Sequence, residues 1–205
     1  MPRPAMPAEA VAATRAALLD VAESLYEAGG HEAMSFRAIA SAYGCSNTMP
    51  YSYFDSKAAI VDALRIRAYR WMQGVLEKAV VSTPDALEAL GALARAYVAA
   101  AAERPRMYEL LYSSHGAIRE TDPALVEAKL GALSVCRRVI EAVAEESEWA
   151  LRANPETTAH LFWVAAHGLV SLEEGGFLVL GPRIDELLPV LFTALSVGMV
   201  EQKDA

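Results

Sequence analysis

The stretch from Ser35 to Lys57 constrains the fold of this 205-residue chain more than any other part of its sequence. Ser35 is a candidate N-cap for a short helix, because serine accepts a hydrogen bond from the unpaired amides at a helix start. Gly44 then interrupts the helical pattern, since glycine adopts a left-handed backbone without steric cost. Ser46 can cap a second short helix that reaches about Phe54. Two short helices joined by a tight glycine turn are typical of a helix-turn-helix.

Helical periodicity continues through the rest of the chain. The sequence is rich in alanine, leucine and glutamate and shows almost no alternation with a period of two, a pattern that favours helices over strands. Candidate caps such as Ser56 and Asn154 divide it into about nine helices with no strand. We therefore predict an all-α fold in which an N-terminal helix-turn-helix domain of three helices, residues 1–56, precedes a larger helical domain, residues 57–205. The predicted helices span approximately residues 7–28, 35–43, 46–54, 57–80, 83–102, 105–113, 123–151, 155–174 and 183–202.

The composition indicates a folded chain without general affinity for polyanions. Apolar residues make up 54% and charged residues 21%, which excludes disorder as the dominant state. The net charge of −8 excludes a protein that coats nucleic acid through a globally basic surface. The charge is uneven, because residues 1–70 carry seven basic and seven acidic side chains, whereas the remaining residues carry 11 and 19. The N-terminal third is therefore the part that does not repel a polyanion.

Several functional classes lack their sequence signatures. The two cysteines, Cys45 and Cys136, form no paired motif, as is typical of a reducing cytoplasm. We expect no signal peptide and no membrane span, which needs about 20 apolar residues. Nucleotide-binding, hydrolase and metalloprotease motifs are missing, and His160 and His167 lie too far apart along a helix to chelate one ion. We therefore predict a cytoplasmic protein with no catalytic residues, no metal, no cofactor and no membrane contact.

The predicted second short helix presents side chains that suit contact with DNA. Short polar groups and a tyrosine reach base edges and phosphates in a major groove. Side chains at the starts of the first short helix and of the following long helix can reach phosphates. Tyr53 could face either solvent or a phosphate. The complete candidate set is Ser35, Arg37, Ser46, Asn47, Thr48, Met49, Tyr51, Tyr53 and Lys57.

The same stretch carries a distinctive order of residues, namely Gly29, Ile39-Ala40, Gly44-Cys45-Ser46, Tyr51-Ser52-Tyr53-Phe54 and Lys57. With this order, residues 14–57 resemble the N-terminal domain of the TetR family of transcriptional repressors. The resemblance implies that the second short helix is the recognition helix and that Tyr51 and Lys57 touch phosphates. It also implies a homodimer.

The chain departs from the family pattern inside the recognition segment. Many family members have Gly-Thr where this chain has Thr48-Met49. Methionine cannot donate the hydrogen bond that threonine donates, so we expect Met49 to contact a thymine methyl group instead. Pro50 also removes one backbone donor from a short helix. These differences affect which bases are recognised.

Two apolar segments near the C-terminus predict a subunit interface. Residues 161–170 and 187–200 carry few polar side chains, so a helix in either segment needs cover on all sides. One face would meet the core and the other a second copy, and two copies of each helix would form a four-helix bundle. Pro189 should kink the last helix or mark a late start. A C-terminal regulatory domain of one TetR subgroup, named for its Trp-His-Gly residues, is similar to this chain at Trp163, His167-Gly168 and Leu172-Glu173.

The larger domain also contains candidate ligand-binding side chains. Aromatic and methionine side chains with few polar tips line small-molecule pockets between helices, and they equally fill ordinary helical cores. The resemblance to repressors favours a pocket, because such a repressor needs a site for its inducer. The candidates are Trp71, Tyr97, Met107, Tyr108, Leu111, Tyr112, Trp163 and His167.

Together these features predict a homodimeric repressor that leaves a palindromic operator in double-stranded DNA when an unidentified small molecule binds. Its two recognition segments must lie about 34–36 Å apart to enter successive major grooves, and a ligand that favours another spacing would release the DNA. Two alternatives stay open. A helical enzyme would need His115 or His167 as general base beside a second polar group, a pairing that the sequence does not show. A helical adaptor would bind only protein, without salt-dependent affinity for DNA.

Overall fold

The computed structural model describes residues 7–83, 85–113, 115, 122–146 and 149–202, and these residues form a helical protein. They contain eight α-helices, one short 3-10 helix and two short strands. The predicted all-α fold is confirmed, with a helix count close to the predicted nine. The elements are α1 (Ala8–Ala33), α2 (Phe36–Tyr43), the 3-10 helix (Met49–Ser52), α3 (Lys57–Val81), α4 (Ala86–Glu103), α5 (Pro105–Leu111), α6 (Pro123–Glu146), β1 (Trp149–Leu151), α7 (Pro155–Glu174), α8 (Ile184–Gly198) and β2 (Val200–Gln202).

Three helices start at side-chain caps in the predicted places. Ser35 Oγ and Ser56 Oγ each accept a hydrogen bond, at 3.1 Å, from the backbone N–H three residues further on. Asn154 Oδ1 accepts the corresponding bond at the start of α7, at 2.8 Å. These caps satisfy amides that have no partner inside their own helix, so short-range sequence signals place α2, α3 and α7 correctly.

One predicted helix boundary in the first half of the chain is confirmed and one is wrong. Helical geometry in α1 breaks at Gly30, whose φ is +67°, next to the predicted end at residue 28, and a short helical segment then continues to Ala33. α4 begins at Ala86 rather than near Thr83, because Asp85 Oδ1 accepts a backbone N–H three residues on at 2.7 Å. A carboxylate is also favoured at the positive end of the helix dipole.

The expectation of no strand is wrong near the C-terminus. β1 and β2 pair antiparallel, so α6 ends at Glu146 and α8 at Gly198 instead of reaching residues 151 and 202. The backbone N–H of Arg152 extends the pairing by donating to the Met199 carbonyl at 2.8 Å. These hydrogen bonds join segments that are distant in sequence, which local periodicity cannot reveal.

Of the two outcomes predicted for Pro189, a kink or a late start of the last helix, the late start is wrong and the kink stays a prediction. α8 begins at Ile184 and includes this proline. The start is set by Glu186, whose carboxylate accepts the Arg183 backbone N–H at 3.4 Å.

The chain divides into two compact units, each built from two segments. The first comprises Met1–Ala68 and Arg104–Val126, and the second comprises Tyr69–Glu103 and Glu127–Ala205. The division falls inside α3 rather than between residues 56 and 57. The predicted domain boundary at 56/57 stays a prediction.

The core of the first unit holds the segment around Gly44 in place. α1 packs against α2 and α5, and α2 packs against the 3-10 helix. Each large side chain buried there stabilises the unit by roughly 1.5–3 kcal/mol. Side chains that are at most 3% exposed there include Leu18, Tyr26, Met34, Ile39, Phe54, Ile60, Leu64, Met107 and Leu110.

The core of the second unit is formed by contacts among three of its helices. α4 packs against α7 and α8, which also pack against each other. At the contact of α7 with α8 the rings of Phe162 and Phe192 lie 5.1 Å apart between centroids. Among the described residues, no helix is long and apolar enough to cross a membrane.

Candidate nucleic-acid interface

The turn after α2 depends on the backbone of Gly44. Its φ is +81°, and its N–H donates to the Ala40 carbonyl at 3.0 Å. The N–H of Cys45 donates to the same carbonyl at 3.0 Å. A Cβ on Gly44 would meet nothing within 4 Å, so the requirement for glycine here is the left-handed conformation alone.

The predicted second helix is shorter than expected and is not capped by Ser46. It is the 3-10 helix Met49–Ser52, and the Ser46 hydroxyl lies 3.3 Å from the Thr48 hydroxyl instead of on a helix amide. The reason is Pro50. An α-helix starting after Ser46 would form its first hydrogen bond from the amide of residue 50, and proline has no N–H to donate.

Six of the nine predicted DNA-binding residues are exposed in the first unit. Tyr51 is 60% exposed, and its ring stacks on Phe36 with 4.0 Å between centroids and 10° between planes. This stack holds the phenol at a defined place on the surface. The exposed residues are Ser35, Arg37, Ser46, Asn47, Thr48 and Tyr51, whereas Met49, Tyr53 and Lys57 are half-buried.

An ion-pair cluster on α1, which sequence analysis missed, braces the first unit. Glu23 accepts from Arg67 Nη1 at 2.9 Å and from Arg104 Nη2 at 2.7 Å. Asp20 also pairs with Arg67, and Glu27 pairs with Arg104, at 2.6 and 2.7 Å. Desolvation lowers the pKa of each arginine, but hydrogen bonds to the carboxylates outweigh it and raise the pKa overall. The sequence feature that could have predicted this cluster is the spacing of Asp20, Glu23 and Glu27, which places all three on one face of α1.

A histidine pair in the first unit also escaped prediction. The rings of His31 and His115 stack with 4.8 Å between centroids. The Ser113 hydroxyl lies 3.2 Å from His115 Nδ1, so the described chain does contain a histidine beside a second polar group. That hydroxyl also accepts the His115 backbone N–H at 3.2 Å, which makes the arrangement a local turn.

The His31 environment predicts that the protein loses stability as the pH falls. Burial first, then the charge of Lys57 and then His115, lower the pKa of His31 below its usual 6.5. The unfolded chain therefore takes up a proton first, and stability falls as the pH drops below about 6.5. We expect His31→Gln to reduce the difference in urea unfolding free energy between pH 7.5 and 5.5. The exposed His160→Gln is the control, and an equal reduction in both variants would contradict the assignment to His31.

Comparison with known proteins identifies the chain. A family model described as "Bacterial regulatory proteins, tetR family" matches residues 18–64, and one described as "Tetracyclin repressor-like, C-terminal domain" matches residues 90–195. The chain belongs to the TetR family. Both models describe regulators, so the DNA-binding helix-turn-helix and the regulator class are confirmed at the level of the family. Whether the chain belongs to the Trp-His-Gly subgroup stays a prediction.

Solved structures show the same TetR-family fold. A protein with unknown function from Rhodococcus sp. RHA1 is 26% identical, with a TM-score of 0.79 over 91% of this chain and 95% of its own. A TetR-family transcriptional regulator from Pectobacterium atrosepticum is 19% identical, with a TM-score of 0.73 over 97% and 100%. The regulator FadR from Bacillus subtilis, solved in complex with stearoyl-CoA, is 14% identical, with a TM-score of 0.69 over 89% and 97%. A search of curated proteins found no match.

The eight predicted ligand-binding residues of this TetR-family chain fall into two groups. In the first unit Met107, Tyr108 and Leu111 are buried, and Tyr112 is exposed with its ring 5.5 Å from that of Tyr108. In the second unit Tyr97 is buried, whereas Trp71, Trp163 and His167 are half-buried.

The His167 ring lies beside another polar group of α7. Its Nε2 is 3.4 Å from the Ser171 hydroxyl, and burial lowers the pKa of His167. No group of three or more potential metal ligands occurs within the described ranges.

A cleft in the second unit was not anticipated. It has a volume of about 430 Å³ and lies between the end of α3, the start of α4 and the middle of α6. Glu77 and Arg138, which both line it, form an ion pair with 3.7 Å between Oε1 and Nη2. None of the eight predicted ligand-binding residues lines it. The wall consists of Glu77, Val80, Val81, Thr83, Ala86, Ala89, Val135, Arg138, Val139 and Ala142.

Proposed function

We propose that this TetR-family regulator is a cytoplasmic homodimeric repressor that binds a palindromic operator and leaves it when a small molecule binds. The observation that carries the proposal is the exposed recognition segment, in which Tyr51 is held against Phe36 beside the exposed Asn47 and Thr48. Exposed polar groups on a rigid turn are suited to the major groove. The whole chain remains acidic, so affinity must come from this local surface.

The proposed contacts divide into two kinds. Ser35 and Arg37 at the start of α2, together with Tyr51 and Lys57, bind phosphates and set the register on the duplex. The side chains between Ser46 and Met49 read base edges, with Met49 against a thymine methyl group. Tyr53, which is half-buried, is assigned to the group of residues that contact phosphates.

The proposed dimer forms through α7 and α8. One side of each helix packs against other helices of the second unit, and the other side exposes apolar side chains. Such unpartnered apolar faces on adjacent helices suit a self-complementary twofold interface. The exposed apolar residues are Leu161, Val164 and Leu172 on α7 and Val190 and Val197 on α8.

Release of the operator would follow from differential binding. α3 is a single helix that carries Lys57 at its first residue and Trp71 further along. We infer that a small molecule held by the second-unit residues Trp71, Tyr97, Trp163 and His167 favours a dimer whose recognition segments have the wrong spacing. The predicted ligand contacts of the first unit, at Met107, Tyr108, Leu111 and Tyr112, stay a separate prediction. Only a ligand that binds the two arrangements with different affinity can shift the equilibrium.

The test is fluorescence-anisotropy binding of the purified protein to the DNA that flanks its own gene. Titrations at about 50 and 200 mM salt, with scrambled DNA as competitor, separate specific from non-specific binding. We expect specific binding that weakens steeply with salt. Absence of binding at low salt would contradict the proposal. Salt-sensitive binding without preference would place the operator elsewhere and leave the recognition surface supported.

A further inference from the structure

The connector between α7 and α8, residues 175–183, holds a cluster of large apolar side chains in solvent. Phe177, Val179 and Leu180 are 69%, 80% and 93% exposed, although they occupy a short span between glycines. Isolated exposed apolar residues are ordinary, but a contiguous group marks an interaction surface.

The connector is a defined structure. The N–H of Phe177 donates to the Leu172 carbonyl at 2.8 Å, and the N–H of Val179 donates to the Phe177 carbonyl at 2.9 Å. Gly176 adopts a φ of +69°, and a Cβ on Gly175 would lie 2.5 Å from the Phe177 ring. The Phe177 ring therefore lies against the backbone of Gly175, and this contact lowers the conformational entropy that the Phe177 side chain would lose on docking.

An ion pair joins the two ends of the connector. Arg183, the residue before α8, pairs with Glu173 at the end of α7. Residues 175–182 themselves carry no charge, and the flanking acidic residues Glu173, Glu174, Asp185 and Glu186 outnumber Arg183. This balance disfavours DNA or an anionic membrane as the occupant and is compatible with an apolar protein surface.

The exposed apolar area of this surface favours a second copy of this chain as the protein partner. A stable interface buries about 800 Å² on each partner, of which about 65% is apolar in homodimers, or about 520 Å². With about 100 Å² for a fully exposed apolar side chain, the five exposed residues of the α7 and α8 faces offer roughly 300 Å². Phe177, Val179 and Leu180 add roughly 240 Å² on the same scale, which brings the total to the required area.

We propose that the connector docks on a second copy of this chain and completes the α7–α8 interface, so that each copy inserts its Phe177–Leu180 tip into the apolar surface of its partner. The inference rests on the proposed homodimer. In that dimer the connector supplies the apolar contact area that the α7 and α8 faces lack.

Sedimentation velocity over a dilution series tests the proposal. We expect Leu180→Asp to raise the dimer dissociation constant at least tenfold, because it places a carboxylate from each copy inside the proposed interface, near the acidic ends of the helices. Leu130→Asp is the matched control, since Leu130 is exposed on α6, and its dissociation constant should equal that of the wild type. Val164→Asp, on the α7 face, should also weaken the dimer.

The outcomes separate the two proposals. A monomeric wild-type protein would overturn the homodimer and the connector contact together. A dimeric wild type that is weakened by Val164→Asp but unchanged by Leu180→Asp would overturn the connector contact alone. Circular dichroism of each variant verifies that its helices are intact.

A labelling experiment provides a readout that does not depend on disrupting the interface. Leu180→Cys is placed in a background with Cys45→Ala and Cys136→Ala, which removes the two native thiols. We expect maleimide to label this thiol at least tenfold more slowly at concentrations where the protein is dimeric than after dilution to monomer. Equal rates in dimer and monomer would overturn the contact.

Discussion

Tyr51→Phe should weaken operator binding by on the order of 30-fold to 100-fold, because each of the two subunits loses one hydrogen bond to a phosphate and a single hydrogen bond contributes a net of about 1–1.4 kcal/mol. The substitution leaves the ring in place. Since the Tyr51 ring stacks on Phe36 at 4.0 Å, Tyr51→Ala would remove both the hydroxyl and the packing, whereas the phenylalanine variant isolates the hydroxyl. Fluorescence anisotropy with the operator fragment measures the change.

Tyr43→Phe is the matched control for this prediction. Tyr43 is exposed at the end of α2 but lies outside the predicted DNA surface, so its affinity should stay within about twofold of wild type. Lys57→Gln complements it, because removing one phosphate contact from each subunit should lower the slope of log affinity against log salt by about 2. Wild-type affinity for Tyr51→Phe would remove Tyr51 from the interface without affecting the family assignment.

Glu23→Ala should destabilise the protein by about 2 kcal/mol, because a largely buried carboxylate that serves two arginines is lost. The side chain of Glu23 is 17% exposed, and its partners Arg67 and Arg104 are 30% and 26% exposed. These partners lie on α3 and directly before α5, so the variant loosens the contacts that hold α1 to the rest of the first unit. Urea unfolding followed by circular dichroism measures the free energy of unfolding.

Asp20→Asn is the control within the same cluster. Asp20 is 67% exposed, and within the described ranges its ion-pair partner is Arg67, so solvent screening should limit its effect to about 0.5 kcal/mol. The order of the two effects is the decisive result. Equal losses of unfolding free energy in both variants would show that pairing with two arginines gives Glu23 no greater stabilising effect than Asp20 has.

Local hydrogen bonding explains which parts of the fold were predictable. The caps at Ser35, Ser56 and Asn154 join side chains to amides three residues away, so a short window of sequence contains both partners. The same holds for the turn at Gly44. The turn and the short helix after it were located correctly for this reason, although the consequence of Pro50 for the length of that helix was underestimated.

Features built from distant partners were not predictable in the same way. Arg104 meets Glu23 across 81 positions, and Arg152 reaches the carbonyl of Val200 across 48. The stack of His31 on His115 and the pairing of β1 with β2 are of the same kind. A single sequence contains the residues for each, but many other pairings satisfy the same local pattern.

The sequence by itself determined the helical class and the position of the helix-turn-helix, because caps, glycines and apolar periodicity act over a few residues. The tertiary structure alone decided that the second helix is a 3-10 turn braced by Phe36, that Glu23 joins two arginines, and that Phe177, Val179 and Leu180 stand in solvent. Burial and charge pairing depend on which segments the fold brings together, and that choice is a property of the whole chain.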